Sequence, residues 1–154
     1  MLQCIEMLLE HNYAVRKTLL HRLGDLDSEE FTRNLGVGQG SVRNILVHLA
    51  NTEAYWISLL KGEEEQWLKY EDFDNVSAIV ESWERIESKT REFLRNLDKK
   101  KLQHVSSIRW ADRTVSFTIT KALVHLATHE AHHRGLLVGL LRQLGYTPPH
   151  VDML

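Results

Sequence analysis

The chain contains only two prolines, and they are adjacent, Pro148 and Pro149. Proline lacks a backbone donor and its ring clashes with the preceding turn, so it is the strongest single interruption of a helix. Everything before position 148 is free of it. The apolar residues use that freedom, recurring with helical period in four long segments. The first covers residues 2–23, with Ile5, Leu8, Asn12, Val15, Leu19 and Leu23 on one stripe and Gly24 as its stop. The second starts behind Ser41 as N-cap, buries Val42, Ile45, Leu49, Trp56 and Leu60, and ends at Gly62. The third covers residues 75–97, with Val76, Ile79, Trp83, Ile86, Thr90, Phe93 and Leu97 on one side. The fourth covers residues 119–144, closed by Gly145 and the two prolines.

Between these segments the pattern changes. Residues 28–31 form a short helical turn, and Gly36, Gly38 and Gly40 keep the following stretch irregular. No Gly-Lys-Ser/Thr follows them, so this is not a phosphate loop. Residues 103–118 alternate and are rich in β-branched side chains, with Ala111, Asp112 and Arg113 placed to turn a hairpin. The expected fold is all-α: a four-helix bundle with long connections and a small β-hairpin before the last helix. A helix of this length spans about 30 Å, and such helices bury facing stripes and can hold a metal between them.

Composition narrows the function. With 154 residues, 43% hydrophobic and 26% charged, the chain is expected to form one soluble domain over residues 1–154. That size needs neither disulfide nor metal merely to fold. A net charge of −2 gives no basis for general nucleic-acid binding. No apolar run approaches the ~20 residues that span a bilayer. The start, from Met1 to Glu6, has no basic region and reads as mature protein. The single Cys4 cannot form an internal disulfide, which fits a cytoplasmic location, and it is too few for a thiolate zinc site. The acidic run Glu63, Glu64, Glu65 and the basic run Lys99, Lys100, Lys101 are expected as solvated faces.

The nine histidines are the unusual feature. On the last helix His129 and His133 fall within the stripe of Ala122, Leu126, Leu136, Leu140 and Leu144. Their i, i+4 spacing stacks two imidazoles on one face. His125 and His132 lie further round, at the border or the wet side. Two readings follow: histidines satisfied by hydrogen bonds, or a metal site, since neutral imidazole is the commonest ligand of first-row metals. A catalytic metal wants three protein ligands and an open position. His48, near the middle of the second helix and at the edge of its stripe, is the best third candidate. His11, His21, His104 and His150 are expected to be exposed, His11 least securely because it borders Asn12.

Residues 129–133 also match H-E-x-x-H, the zincin helix. The chain is short for the rest of a peptidase, and downstream ligands are limited to His150 and Asp152. A di-iron bundle needs a second E-x-x-H, and none is present.

The same residues carry a family resemblance. His48 within Ile45-Leu46-Val47-His48-Leu49-Ala50-Asn51-Thr52-Glu53, followed by Trp56, and above all His129-Glu130-Ala131-His132-His133-Arg134-Gly135, resemble the DinB-like (DinB/YfiT) metalloprotein superfamily. Leu140 to Tyr146 and the two prolines extend the resemblance over nearly the whole chain. It implies a metal held by His48, His129 and His133, zinc or nickel, with an open coordination position. It also implies a homodimer, and in members with assigned chemistry a transferase or isomerase using a low-molecular-weight thiol. Glu130 and His132 are then candidates to support the ligands from behind. Arg134 is expected in a surface salt bridge, or else on an anionic substrate. Family members often carry Gln after His-Arg-Gly; here the residue is Leu136. Two function classes follow. One is a small-molecule transferase or hydrolase-like enzyme whose three-histidine metal activates a thiol or water. The other is a non-catalytic, stress-related metal-binding protein with a structural or storage site.

Overall fold

In a computed structural model the described residues are 2–64 and 66–154. Met1, the start of the stretch read as mature protein, and Glu65, the last of the acidic run, lie outside them. The elements are α1 (Leu2–Leu23), α2 (Ser28–Thr32), α3 (Val42–Lys61), α4 (Val76–Asn96), β1 (Val105–Trp110), β2 (Arg113–Thr118) and α5 (Ile119–Gln143). The four long helices are those expected from the apolar period, and their ends follow from local chemistry. Ser41, Asn75 and Thr118 accept hydrogen bonds from the Asn44, Ala78 and Lys121 amides at the starts of α3, α4 and α5. The five-residue α2 is closed by a reciprocal capping box between Asp27 and Glu30. Gly62 ends α3 in the left-handed region at φ 74°.

The hairpin also forms. β1 and β2 pair antiparallel, from Val105 opposite Thr118 to Trp110 opposite Arg113. Its two-residue turn places Ala111 at φ 56°, a conformation that suits glycine better than alanine. No helix among the described residues is long and apolar enough to cross a membrane.

The core divides in two. One apolar cluster joins the C-terminal halves of α1 and α5 to the N-terminal halves of α3 and α4, around Leu23, Phe31, Ile45, Leu46, Ile79 and Leu141. The other joins the opposite ends and the hairpin, around Ile5, Trp56, Leu94, Phe117 and Leu123. Between them lies a buried polar layer containing Asn12, Arg16, Glu53, Thr90, Glu130, His133 and Arg134. The last helix is therefore turned slightly from the expected phase. The expected stripe through His129 and Leu136 lies at the edge of the core, where both are half-buried, and the buried arc runs through Leu123, Ala127, Glu130, Arg134, Leu137 and Leu141.

Candidate metal centre

That rotation leaves His129 half-buried at the edge of the core, facing α3. His48 comes from the middle of α3, and His129 and His133 from successive turns of α5. One ligand atom of each of the three lies within 4.8 Å of the others. The ring centroids are 5.0 Å apart for His48 and His129, 4.8 Å for His48 and His133, and 4.5 Å for His129 and His133. His48 and His129 are half-buried, and His133 is buried.

The donor set fits a divalent ion. Two nitrogens about 2.0–2.1 Å from one tetrahedral ion stand roughly 3.3–3.4 Å apart. His48 Nε2 and His129 Nε2 are 3.2 Å apart. A hydrogen bond between two neutral imidazoles gives a similar distance, but it involves only two of the three rings. Nδ1 of His133 remains buried with no hydrogen-bond partner. The rings are also in the protonation state a metal needs. Burial, and then the neighbouring imidazoles, push His129 and His133 down to about 4, and burial lowers His48.

The supporting residues differ from expectation. Glu130 follows His129 in the chain but turns into the core, where Arg16 Nε donates to its Oε1 at 3.0 Å and Arg16 Nη2 to its Oε2. It makes no direct hydrogen bond to a histidine. His132 is exposed and meets His133 edge-on, with centroids 5.0 Å apart. Arg134 is neither in a surface salt bridge nor free for an anion. It is buried one turn beyond Glu130, and Nη1 donates to Asn12 Oδ1 at 2.9 Å. Asn12 in turn donates to the Ala127 carbonyl, so α1 is tied to α5 at two levels. Of the remaining histidines, His21, His104 and His150 are exposed and His11 is half-buried. Cys4 is exposed.

The apolar pattern missed the centre of the polar layer. Arg16, 6% exposed, donates from Nη2 to Glu53 Oε2 at 2.8 Å while holding Glu130. Glu53 also accepts from Trp83 Nε1 and Thr90 Oγ1, each at 2.8 Å. The guanidinium lies over the Trp83 ring at 4.1 Å. Burial works against the Arg16 charge, but the Glu53 and Glu130 carboxylates outweigh it and raise its pKa. One cation on α1 thus joins α3, five residues beyond His48, to α5, one residue beyond His129. A cavity of about 10 Å³ separates His129 from this cluster and is lined by Tyr13, Arg16, Glu53 and Glu130 as well. A groove of about 810 Å³ lies elsewhere, between α1 and α4, lined by Tyr13, Trp83 and Arg91 but by none of the three histidines.

The comparisons with known proteins give the family and the fold. The sequence profile of the DinB family matches residues 1–154. The chain belongs to the DinB family. It is 24% identical over 139 residues to the uncharacterized protein YizA of Bacillus subtilis (strain 168), covering 90% of this chain and 87% of that one. It is 23% identical over 155 aligned positions to protein DinB of the same organism, covering 94% and 88%. Its fold is similar to that of a crystallised DinB-like protein from Bacillus cereus ATCC 10987, with TM-score 0.70 and 20% identity over 94% of this chain and 95% of that one. A DinB-like protein of Bacillus subtilis, YjoA, superposes with TM-score 0.66 at 18% identity, covering 97% of each chain. In this DinB-family chain Leu136, where the resemblance expects Gln, is half-buried against the apolar cluster of Leu23 and Ile45. Its Cδ1 lies beneath Gly38, 2.8 Å from where a Cβ would stand.

Proposed function

We propose that His48, His129 and His133 bind one divalent metal ion, zinc or nickel. On this reading the protein is a metal-dependent DinB-family enzyme acting on a small molecule. The carrying observation is the convergence of three neutral imidazoles from two helices, with two ring nitrogens at the separation one ion requires. When bound, the metal lowers the pKa of a thiol or water by several units, making a nucleophile at neutral pH. The protein's part is to supply three uncharged ligands, which leave the ion its full charge, and to hold them in place. Arg16 and its two carboxylates hold α3 and α5 together directly behind the ligands. Glu130 is engaged in that role and is not the base. The reaction class that fits is transfer or hydrolysis through a low-molecular-weight thiol or water. The reading includes a single domain over residues 1–154, a homodimer and a cytoplasmic location.

A second reading is favoured by one observation. The groove of about 810 Å³ is not lined by the three histidines, and His129 borders a cavity of about 10 Å³. A structural or storage metal in a non-catalytic, stress-related protein needs no substrate pocket.

Tag-free protein tests the metal. Elemental analysis is expected to give about one first-row ion per chain, lost when His48, His129 or His133 becomes Ala and kept in His11→Ala and His21→Ala. Sub-stoichiometric metal that does not return on reloading overturns the proposal. Activity is tested with the loaded protein, a panel of cellular thiols and an electrophile. Thiol consumption no faster than that of His129→Ala leaves the non-catalytic reading. Sedimentation checks the dimer.

A further inference from the structure

The surface between α3 and α5 carries an aromatic wall beside the histidine cluster that the proposed metal centre does not use. Tyr55 lies seven residues beyond His48. Seven residues are close to two turns and about 10.5 Å of rise, so both side chains leave the same face of α3. Asn51 and Thr52 stand between them on that face, the Thr52 hydroxyl turned back onto the His48 carbonyl at 2.8 Å. Trp67, from the connection between α3 and α4, stacks on Tyr55 with centroids 5.7 Å apart and planes 29° from parallel.

This stack is held in place by its backbone. Asn51 Nδ2 donates to the Leu68 carbonyl and the Leu68 amide donates to Asn51 Oδ1, each at 2.9 Å, fastening the residue after Trp67 to α3. Trp67 is nevertheless 61% exposed. Across the surface on α5, His125 lies 5.5 Å from His129 and 5.3 Å from Trp56, and Trp56 lies 5.8 Å edge-on to Tyr55. Ring contacts therefore run unbroken from a proposed metal ligand to an anchored, water-exposed indole. Scattered exposed apolar side chains are ordinary on protein surfaces. An anchored aromatic stack continuous with a ligand cluster is a surface for a flat ring, which gains by offset or edge-on contact.

We propose that Tyr55 and Trp67 form a binding platform for the substrate. The ligand class is a small thiol that carries an aromatic or heteroaromatic ring roughly 10 Å from the sulfur, the reach from His48 to Tyr55 along α3. With a metal held by His48, His129 and His133, the thiol would bind there as thiolate, its proton passing to solvent, and its ring would lie on the stack. This rests on the metal reading above.

The test uses tag-free protein loaded with cobalt(II), titrated with hexane-1-thiol and 6-phenylhexane-1-thiol, whose ring reaches about 10 Å from the sulfur, and followed by thiolate-to-cobalt absorption. The phenyl thiol is expected to bind about five- to tenfold more tightly, within the range an aromatic contact supplies. Trp67→Ala and Tyr55→Ala each bring that ratio below about twofold, while Trp67→Phe keeps it. Equal binding of the two thiols by the unaltered protein, or a ratio indifferent to Trp67→Ala, overturns the platform and leaves the metal reading intact. Cobalt uptake with no thiolate band from either thiol overturns thiol binding and the platform with it. Failure to take up cobalt overturns the metal reading itself.

Discussion

Arg16→Met removes the cation from the middle of the bundle while keeping most of its volume. Its magnitude follows from the contacts. The Arg16, Glu53 and Glu130 side chains are 7%, 8% and 10% exposed, so solvent cannot replace the lost partner. Removing one member of a buried ion pair costs about 3–5 kcal/mol, because the remaining charge stays uncompensated. Glu53 keeps its donors Trp83 and Thr90, but Glu130 loses both of its hydrogen bonds. The expected loss is therefore about 3–4 kcal/mol, a large part of the roughly 5–15 kcal/mol that holds a domain folded. At about 2–4 °C per kcal/mol for a chain of this size, Tm falls by about 10 °C. Urea unfolding of chelator-treated protein, followed by circular dichroism, measures it. Arg85→Met is the control: its pair with Glu81 is 65% and 78% exposed, and such pairs contribute about 0–1 kcal/mol. Adding Glu53→Gln and Glu130→Gln to Arg16→Met is expected to recover part of the loss, since the three act as a unit. An Arg16→Met deficit within about 1 kcal/mol of the Arg85→Met control would refute the reasoning.

Three further outcomes follow. The metal-free protein loses stability as pH falls from 6.5 toward 4. His129 and His133 bind protons in the unfolded chain at 6.5 but in the folded one only near 4, so the unfolded state takes up more protons in that window. A His129→Gln/His133→Gln variant shows a shallower decline in urea midpoint, and an identical slope counts against the shifts. Ala111→Gly relieves the left-handed turn residue at about 1–2 kcal/mol and gives back about 0.4–1 kcal/mol in unfolded-chain entropy; a small net gain in thermal midpoint is expected. Gly38→Ala lowers the midpoint, because the residue sits at φ +57° and the new Cβ meets Leu136 Cδ1 at 2.8 Å; an unchanged midpoint would show that Leu136 swings aside freely.

The long helices were legible because burial in a bundle imposes one period, and nothing before Pro148 interrupts it. The hairpin was legible from its alternation. The pairing of Asn51 with Leu68 was not, since it joins a helix to irregular chain through backbone groups that no side-chain pattern marks. The histidine trio was legible from His129 and His133 at i, i+4 together with His48 at a stripe edge. Its setting was harder to see, because charged residues are ordinarily assigned to water. Yet Glu53 occupies an apolar slot, four residues after Leu49 and four before Ile57. Arg16 lies between Leu9 and Leu23 at steps of seven, and Glu130 between Leu123 and Leu137 at the same steps. Each is a charge in a core register, and Arg134, between Ala127 and Leu141 at steps of seven, is a fourth, so the signs across three helices are two positive and two negative. A core-register charge on one helix requires its opposite on a neighbour, for an unpaired one is too costly to bury. Arg134 shares its helix with Glu130, so Arg16 is the core-register cation that can serve both acids from a neighbouring helix; because Glu130 adjoins His129 and Glu53 follows His48 by five residues, the same ion cluster falls behind the proposed metal ligands.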